Sequence, residues 1–212
     1  MKQYKYVLFD WDGCLAKTLE VWLEAFQQLL DKKYGKWVEK TDIAPHLGDY
    51  RISEYFGIED THAFNVAGVE IARDMLGDVE LYDGALDLLK SLRGKVKIAL
   101  VSSSSRHILD KGLAHNGLSD FFDIVISGDD VTNHKPHPES LEKALAAIGG
   151  DKEHAIMIGD STKDMGAANN FGIDSALILH PSHELIYDYT VLRSHKPTYE
   201  FTSLGELRSL FA

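Results

Sequence analysis

The sequence predicts an α/β fold: a doubly wound, Rossmann-like parallel sheet core with an inserted α-helical domain. Three observations carry this. From residue 81 onward, short apolar runs alternate with helix-period segments, the pattern of right-handed crossovers and a parallel sheet. One further apolar run, residues 4–9, precedes them, and the block between it and residue 81 shows helical periodicity without a buried strand. Finally, Asp10, Asp12, Ser102 and Asp160 each follow an apolar run, at the carboxyl ends of strands where open α/β sheets bind ligands.

The elements follow in order. Residues 4–9 read as a strand, and Leu19, Trp22, Leu23, Phe26, Leu29 and Leu30 recur at helical spacing through about residue 33. Residues 37–57 are broken by Pro45, Gly48 and Gly57, and 60–76 form another helix. The second half then predicts helix 85–92, strand 96–101, helix 106–115, strand 124–127 and helix 139–148. Strand 155–158, a helix over 163–171 closed by Gly172, and strand 176–179 come next. A short strand at 199–201 and a helix over 204–211 end the chain, while the polar segment 180–196 reads as a surface excursion. The predicted division is a core of residues 1–14 and 81–212 with the helical domain at 15–80.

Bulk properties narrow the class. The 212 residues are 44% hydrophobic, enough for one sizeable core and a small accessory domain. The net charge of −11 argues against a nucleic-acid or acidic-membrane partner. A single cysteine, Cys14, leaves no internal disulfide framework and suits a reducing compartment. With no signal-like apolar region at the start and no run long enough to span a bilayer, a soluble cytoplasmic protein is expected.

The run Phe9-Asp10-Trp11-Asp12-Gly13-Cys14-Leu15 concentrates the chemistry. Two anions one residue apart at a strand end repel unless a positive group joins them. A hard cation such as Mg²⁺ would supply that charge, and a carboxylate can itself attack phosphorus. Equally, Asp and Gly are ordinary turn residues. Downstream stand Val101-Ser102-Ser103, His134-Lys135-Pro136-His137-Pro138 and Ile158-Gly159-Asp160-Ser161-Thr162-Lys163-Asp164. Taken singly, Ser102 could be a helix cap, Lys135 a surface lysine, and Ser161 with Asp164 a capping box. His134 and His137 lack the further ligands a zinc site needs.

Together, in this order and across nearly the whole chain, the four segments resemble the motifs of the haloacid dehalogenase superfamily. The resemblance implies that Asp10 is the nucleophile and Asp12 the general acid and base. Phosphatases and mutases of the superfamily keep the second Asp, and the dehalogenase and phosphonatase branches do not. Ser102 and the Ser103 amide would bind phosphate, and Lys135 would neutralise it. Asp10, the Asp12 backbone carbonyl and Asp160 would hold Mg²⁺, with Asp164 supporting the metal shell. The helical block resembles the cap inserted after the first motif, and Arg51 a cap arginine that meets a distal anion in the phosphoglycolate phosphatase and β-phosphoglucomutase branch; a solvated surface arginine fits equally. Similar mutases carry a histidine in the first cap helix. Trp22 stands at that position here, and no histidine occurs between Asp12 and His46.

The expected function is thus Mg²⁺-dependent hydrolysis of a small phosphorylated metabolite through an aspartyl-phosphate. The alternatives are a sugar phosphomutase on the same fold and a non-catalytic binding protein that has kept it.

Overall fold

The computed structural model describes residues 2–211; residues 1 and 212, the outer ends of the expected core, lie outside the described residues. Six strands form one parallel sheet: β1 (Tyr6–Phe9), β2 (Lys97–Val101), β3 (Ile124–Ile126), β4 (Ala155–Gly159), β5 (Asp174–Ile178) and β6 (Tyr199–Phe201). Their spatial order is β3-β2-β1-β4-β5-β6. The chain builds outward from β1 to β3, then returns to β1's other side for β4 to β6. The switch point of the doubly wound sheet therefore lies between β1 and β4, where ligands bind beyond the carboxyl ends.

Strand side chains alternate between faces, and in this sheet both faces are buried. Val7 and Phe9 of β1 join Leu100, Ile156 and Ile158 in one core cluster, which α5 (Ala85–Leu92) and α6 (Arg106–His115) cover with Leu88, Leu89, Leu109 and Leu113. Leu8 points the other way, into a cluster with Ala99, Val101 and Met157. There α7 (Glu139–Ala147) and α8 (Thr162–Phe171) contribute Leu141, Ala144, Ala167 and Ala168. Phe9 sits opposite both Leu100 and Ile158, so the residues after these three strands emerge side by side.

Between β1 and β2 lie α1 (Thr18–Tyr34), α2 (Lys40–Ile43), α3 (Ile52–Tyr55) and α4 (Thr61–Leu76). They enclose a cluster of their own, built on Phe26, Leu29, Leu30, Ile43, Ile52 and Phe64. Phe26 stacks on Phe64 with centroids 5.5 Å apart. The close approach of Phe26 depends on Gly68, where a Cβ would stand 2.6 Å from the Phe26 ring. The chain leaves and re-enters the sheet region through adjacent segments. Ala16 bridges Leu81, and the Lys17 and Tyr82 amides donate to Glu80 and Leu15 carbonyls at 2.9 Å.

Some expectations shift. The broken stretch 37–57 contains two one-turn helices, α2 and α3. β5 begins earlier than its apolar run, at Asp174, whose carboxylate accepts hydrogen bonds from Lys2 and Tyr4 at 2.6 Å. The tail over Glu206–Phe211 is a 3₁₀ turn rather than an α-helix. A larger refinement concerns residues 180–196, most of which are exposed as a surface excursion would be but which are anchored inward at three points. His180, His183 and Leu192 are buried, and α9 (Tyr189–Ser194) packs Leu192 against Met165, Leu177 and Leu179. The segment is polar because its histidines and tyrosines are partnered, which hydropathy does not reveal.

Candidate active site

β1 ends at Phe9, and the chain turns at once. The Cys14, Leu15 and Ala16 amides all donate to the Trp11 carbonyl, while the buried Trp11 ring anchors the turn in the core. Gly13 occupies the left-handed region at φ 78°, and a Cβ there would lie 2.4 Å from Asp160 Oδ2. Only glycine lets the β1 and β4 turns approach this closely.

This turn sends the two carboxylates of the Asp-x-Asp pair to different partners. Asp10 accepts from Lys135 Nζ at 2.6 Å. Asp12 Oδ2 accepts the hydroxyls of Ser102 and Ser104 at 2.7 and 2.9 Å. Lys135 also donates to Asp164 Oδ1 at 2.6 Å and to the Val101 carbonyl at 3.1 Å, so all three ammonium protons are used. Asp164 meets the Ser161 amide and hydroxyl through its other oxygen, at 3.1 and 2.6 Å. Ser161 and Asp164 thus form the capping box of α8 while Asp164 also holds Lys135.

Asp10, Asp160 and Asp164 bring carboxylate oxygens within 4.8 Å of one another, and all three residues are buried. One lysine faces three carboxyl groups. Burial, with the Asp164 charge adding to it, pushes the Asp10 carboxyl up to about 8. Asp160 is also raised well above the usual range by burial and by its two carboxylate neighbours. Neither Asp160 oxygen is met by a donor at full hydrogen-bond geometry among the described residues, and the Tyr187 phenol is the donor that faces it. Buried oxygens so poorly partnered, in a carboxylate set, suit a hard cation. The Asp12 side chain is not part of this set; only its backbone was expected to contribute.

The 180–196 segment closes the far side of Asp160. Tyr82 donates its hydroxyl proton to Glu20, at 2.9 and 2.8 Å, so His183 Nε2, 2.7 Å away, must donate to Tyr82. His183 Nδ1 is then a bare acceptor, 3.5 Å from Asp160 Oδ2. Burial and the neighbouring His180 hold His183 down at about 3, so the ring is neutral. Two facing acceptors need a shared proton or a cation. Tyr187 lies on the same side, and burial and the Asp160 charge raise its phenol. No motif flagged His183, Tyr187, Tyr82 or Ser104. The only signal was a run of histidine and tyrosine directly after an apolar strand.

A cavity of about 610 Å³ opens above these groups. Asp10, Asp12, Ser103, Lys135 and Ser161 form its floor. Leu19, Trp22 and Phe26 of α1, Leu47, Val69 of α4, and Ile186 line the rest, so the helices between β1 and β2 form one wall. Ser102 is buried beneath Asp12, whereas Ser103 reaches the cavity. Arg51 is not brought to the site: its side chain is exposed, 3.9 Å from Asp49, and it does not line the cavity.

The charge imbalance has a measurable consequence. Asp10 moves from its ordinary 3.8 to about 8 on folding, so between these values the folded chain holds more protons than the unfolded one. Stability then falls as pH rises across that window. Thermal unfolding in chelator should show Tm decreasing from about pH 4 to pH 8, with added Mg²⁺ raising Tm more at pH 8 than at pH 5. A flat profile, or equal Mg²⁺ shifts at both pH values, would contradict the charge assignment.

Known proteins share this frame. The family model for haloacid dehalogenase-like hydrolases matches residues 7–178. A pyrophosphatase PpaX of Halalkalibacterium halodurans is 34% identical over 207 residues, which span 95% of this chain and 94% of that protein. A PpaX of Bacillus cereus is 28% identical over 95% of this chain and 93% of its own length. In fold, the chain is similar to a HAD family hydrolase of Deinococcus radiodurans solved with bound phosphate and sodium. The TM-score is 0.85 at 24% identity, covering 99% of this chain and 95% of that one. With its four motif segments converging on one buried carboxylate and lysine cluster, the chain belongs to the haloacid dehalogenase-like hydrolases.

Proposed function

We propose that the protein is a Mg²⁺-dependent phosphatase that hydrolyses a small phosphate monoester through an aspartyl-phosphate on Asp10. The observation that carries this is the Asp10–Lys135–Asp164 contact, beside the poorly partnered Asp160, at the floor of a cavity. Asp10, Asp160 and the Asp12 carbonyl would hold the metal, with Asp164 behind them. The bound metal supplies positive charge to the phosphoryl oxygens and the nucleophile.

An Asp10 oxygen attacks phosphorus as the bond to the leaving oxygen breaks. Asp12 gives its proton to that oxygen, then takes one from the water that attacks the acyl phosphate and releases phosphate. The Ser102 and Ser104 hydroxyls fix Asp12 through Oδ2, which holds the carboxyl in place for both transfers. Lys135 offsets charge on the nucleophile, and the Ser103 backbone faces the phosphate position. We assign residues 15–80 to a helical cap that shields this chemistry from bulk water. The net charge of −11 and the buried single cysteine support a small phosphorylated metabolite and a cytoplasmic setting. Among the described residues, no helix is long and apolar enough to cross a membrane.

Phosphate release from p-nitrophenyl phosphate tests the proposal. Activity should vanish in chelator and return with Mg²⁺; full activity in chelator would end it. The mutase alternative is separated by β-glucose 1-phosphate with a trace of glucose 1,6-bisphosphate. Trp22 lines the cavity where similar mutases place a histidine, so phosphate should be released with little glucose 6-phosphate formed.

A further inference from the structure

The two ends of the cavity differ in chemistry, and the difference bears on the leaving group. The floor holds the ionisable groups already described. Away from it, the wall is built from Leu19, Trp22, Phe26, Leu47, Val69 and Ile186. Trp22 and Phe26 present adjacent rings with centroids 6.0 Å apart. Tyr50, also in the lining, is 62% exposed and adds a further aromatic face to this wall.

The exposed Lys163 lines the cavity on the floor's side, and the wall itself carries one carboxylate. Its ionisable residue is Asp49, which the Arg51 amide and the Tyr55 hydroxyl hold below the usual carboxylate range, so it stays charged. Lys135 has all its protons engaged on the floor, and Lys163, an exposed residue in the first turn of α8, stands beside Ser161 on the floor's side. Arg51, the one cation expected to read a distal anion, is turned to solvent. A leaving group carrying its own carboxylate or phosphate and set toward Asp49 would meet like charge, offset by the exposed Arg51, 3.9 Å from Asp49, and by Lys163 near the floor.

The remaining polar groups on the wall, the Asn65 amide and the Tyr50 hydroxyl, can both donate and accept. Asn65 donates through its amide nitrogen to the Tyr50 carbonyl at 2.7 Å, which leaves its amide oxygen and second amide proton for a ligand. These groups ask for hydrogen-bonding partners, and the aromatic and aliphatic surface asks for a flat apolar face.

From this we infer that the enzyme's substrate is the phosphate monoester of an uncharged, ring-bearing alcohol with hydrogen-bonding groups, the class to which nucleoside 5′-monophosphates belong. The inference rests on the phosphatase reading of the same site, and it separates this chain from pyrophosphate as a substrate despite its PpaX relatives. Inorganic pyrophosphate is all charge and offers no apolar face to Trp22 and Phe26. Phosphoglycolate would set its carboxylate toward Asp49.

The test uses the full-length protein with Mg²⁺ and compares kcat/KM for uridine and inosine 5′-monophosphate with that for 2-phosphoglycolate and pyrophosphate. The nucleotides and phosphoglycolate share a primary alcohol as leaving group, so the comparison isolates the wall. At least one nucleotide should be preferred by about tenfold or more over both small anions, and Trp22→Ala should cut that ratio by about tenfold. Asp49→Asn should raise kcat/KM for phosphoglycolate relative to the nucleotide, a change that a purely structural role for Asp49 would not produce. Wild-type preference for pyrophosphate or phosphoglycolate would overturn this inference and leave the phosphatase reading standing. No phosphate from any of these or from p-nitrophenyl phosphate would remove both.

Discussion

Asp10→Asn should lose phosphate release by on the order of 10⁴-fold or more, because the amide keeps the shape of the side chain and cannot attack phosphorus. The fold should survive. Lys135 keeps its 2.6 Å contact with Asp164, and one of three crowded carboxyl groups is gone. Since burial raises Asp10 to about 8, its charged form is unfavourable in the metal-free protein at that pH. The variant's Tm in chelator at pH 8 should therefore equal or exceed that of the wild type. Acid quenching during turnover should trap phosphoprotein in the wild type and none in the variant. Near-full activity of Asp10→Asn would remove the covalent mechanism.

Lys135→Met should act on both stability and activity. It leaves Asp10 and Asp164 buried without their cation, a change that destabilises by about 3–5 kcal/mol. The carboxylates around Lys135 raise its pKa, so its contribution is complete below the lysine's ordinary 10.5 and lost only at higher pH. The wild-type contribution is thus intact at neutral pH, and the variant's deficit should be large at pH 8. It should shrink toward pH 5, as Asp10 takes up a proton and no longer needs a partner. Activity should fall by on the order of 10²–10³ even with saturating Mg²⁺, as expected when one fixed charge at a developing anion is removed. A denaturation curve matching the wild type at pH 8 would show that the lysine is not the counterion of this cluster.

Much of this arrangement was legible in the sequence because it depends on strand ends. An apolar run followed by Asp or Ser fixes a side chain at the carboxyl edge of a parallel sheet, and β1, β2 and β4 deliver Asp10, Ser102 and Asp160 to the same edge within one residue of register. The lysine loop and the capping box at Ser161–Asp164 were visible for the same local reason. Two things were hidden. The partners of Asp12 include Ser104, which reads locally as a helix-start serine and takes its role only from a turn ninety residues away in the chain. The burial of His180 and His183 depends on Tyr82 and Glu20, contributed by distant segments. Polar residues that satisfy one another across such separations leave no periodic trace. For Arg51 the resemblance left a ligand contact and a solvated surface arginine equally open, and the side chain is exposed beside Asp49.

The joined connections at 15–17 and 80–82 carry a different consequence. Because the two segments are hydrogen-bonded to each other, α1–α4 hang from the sheet as a single bulge of chain whose ends already meet. Replacing the whole bulge changes the loop-closure entropy only with the logarithm of its length, and the floor residues come from other parts of the chain. Descendants of such a chain can exchange most of the cavity's apolar wall, Ile186 excepted, while inheriting the floor unaltered. The specificity of this lineage can thus drift by recombination, without passing through inactive ancestors.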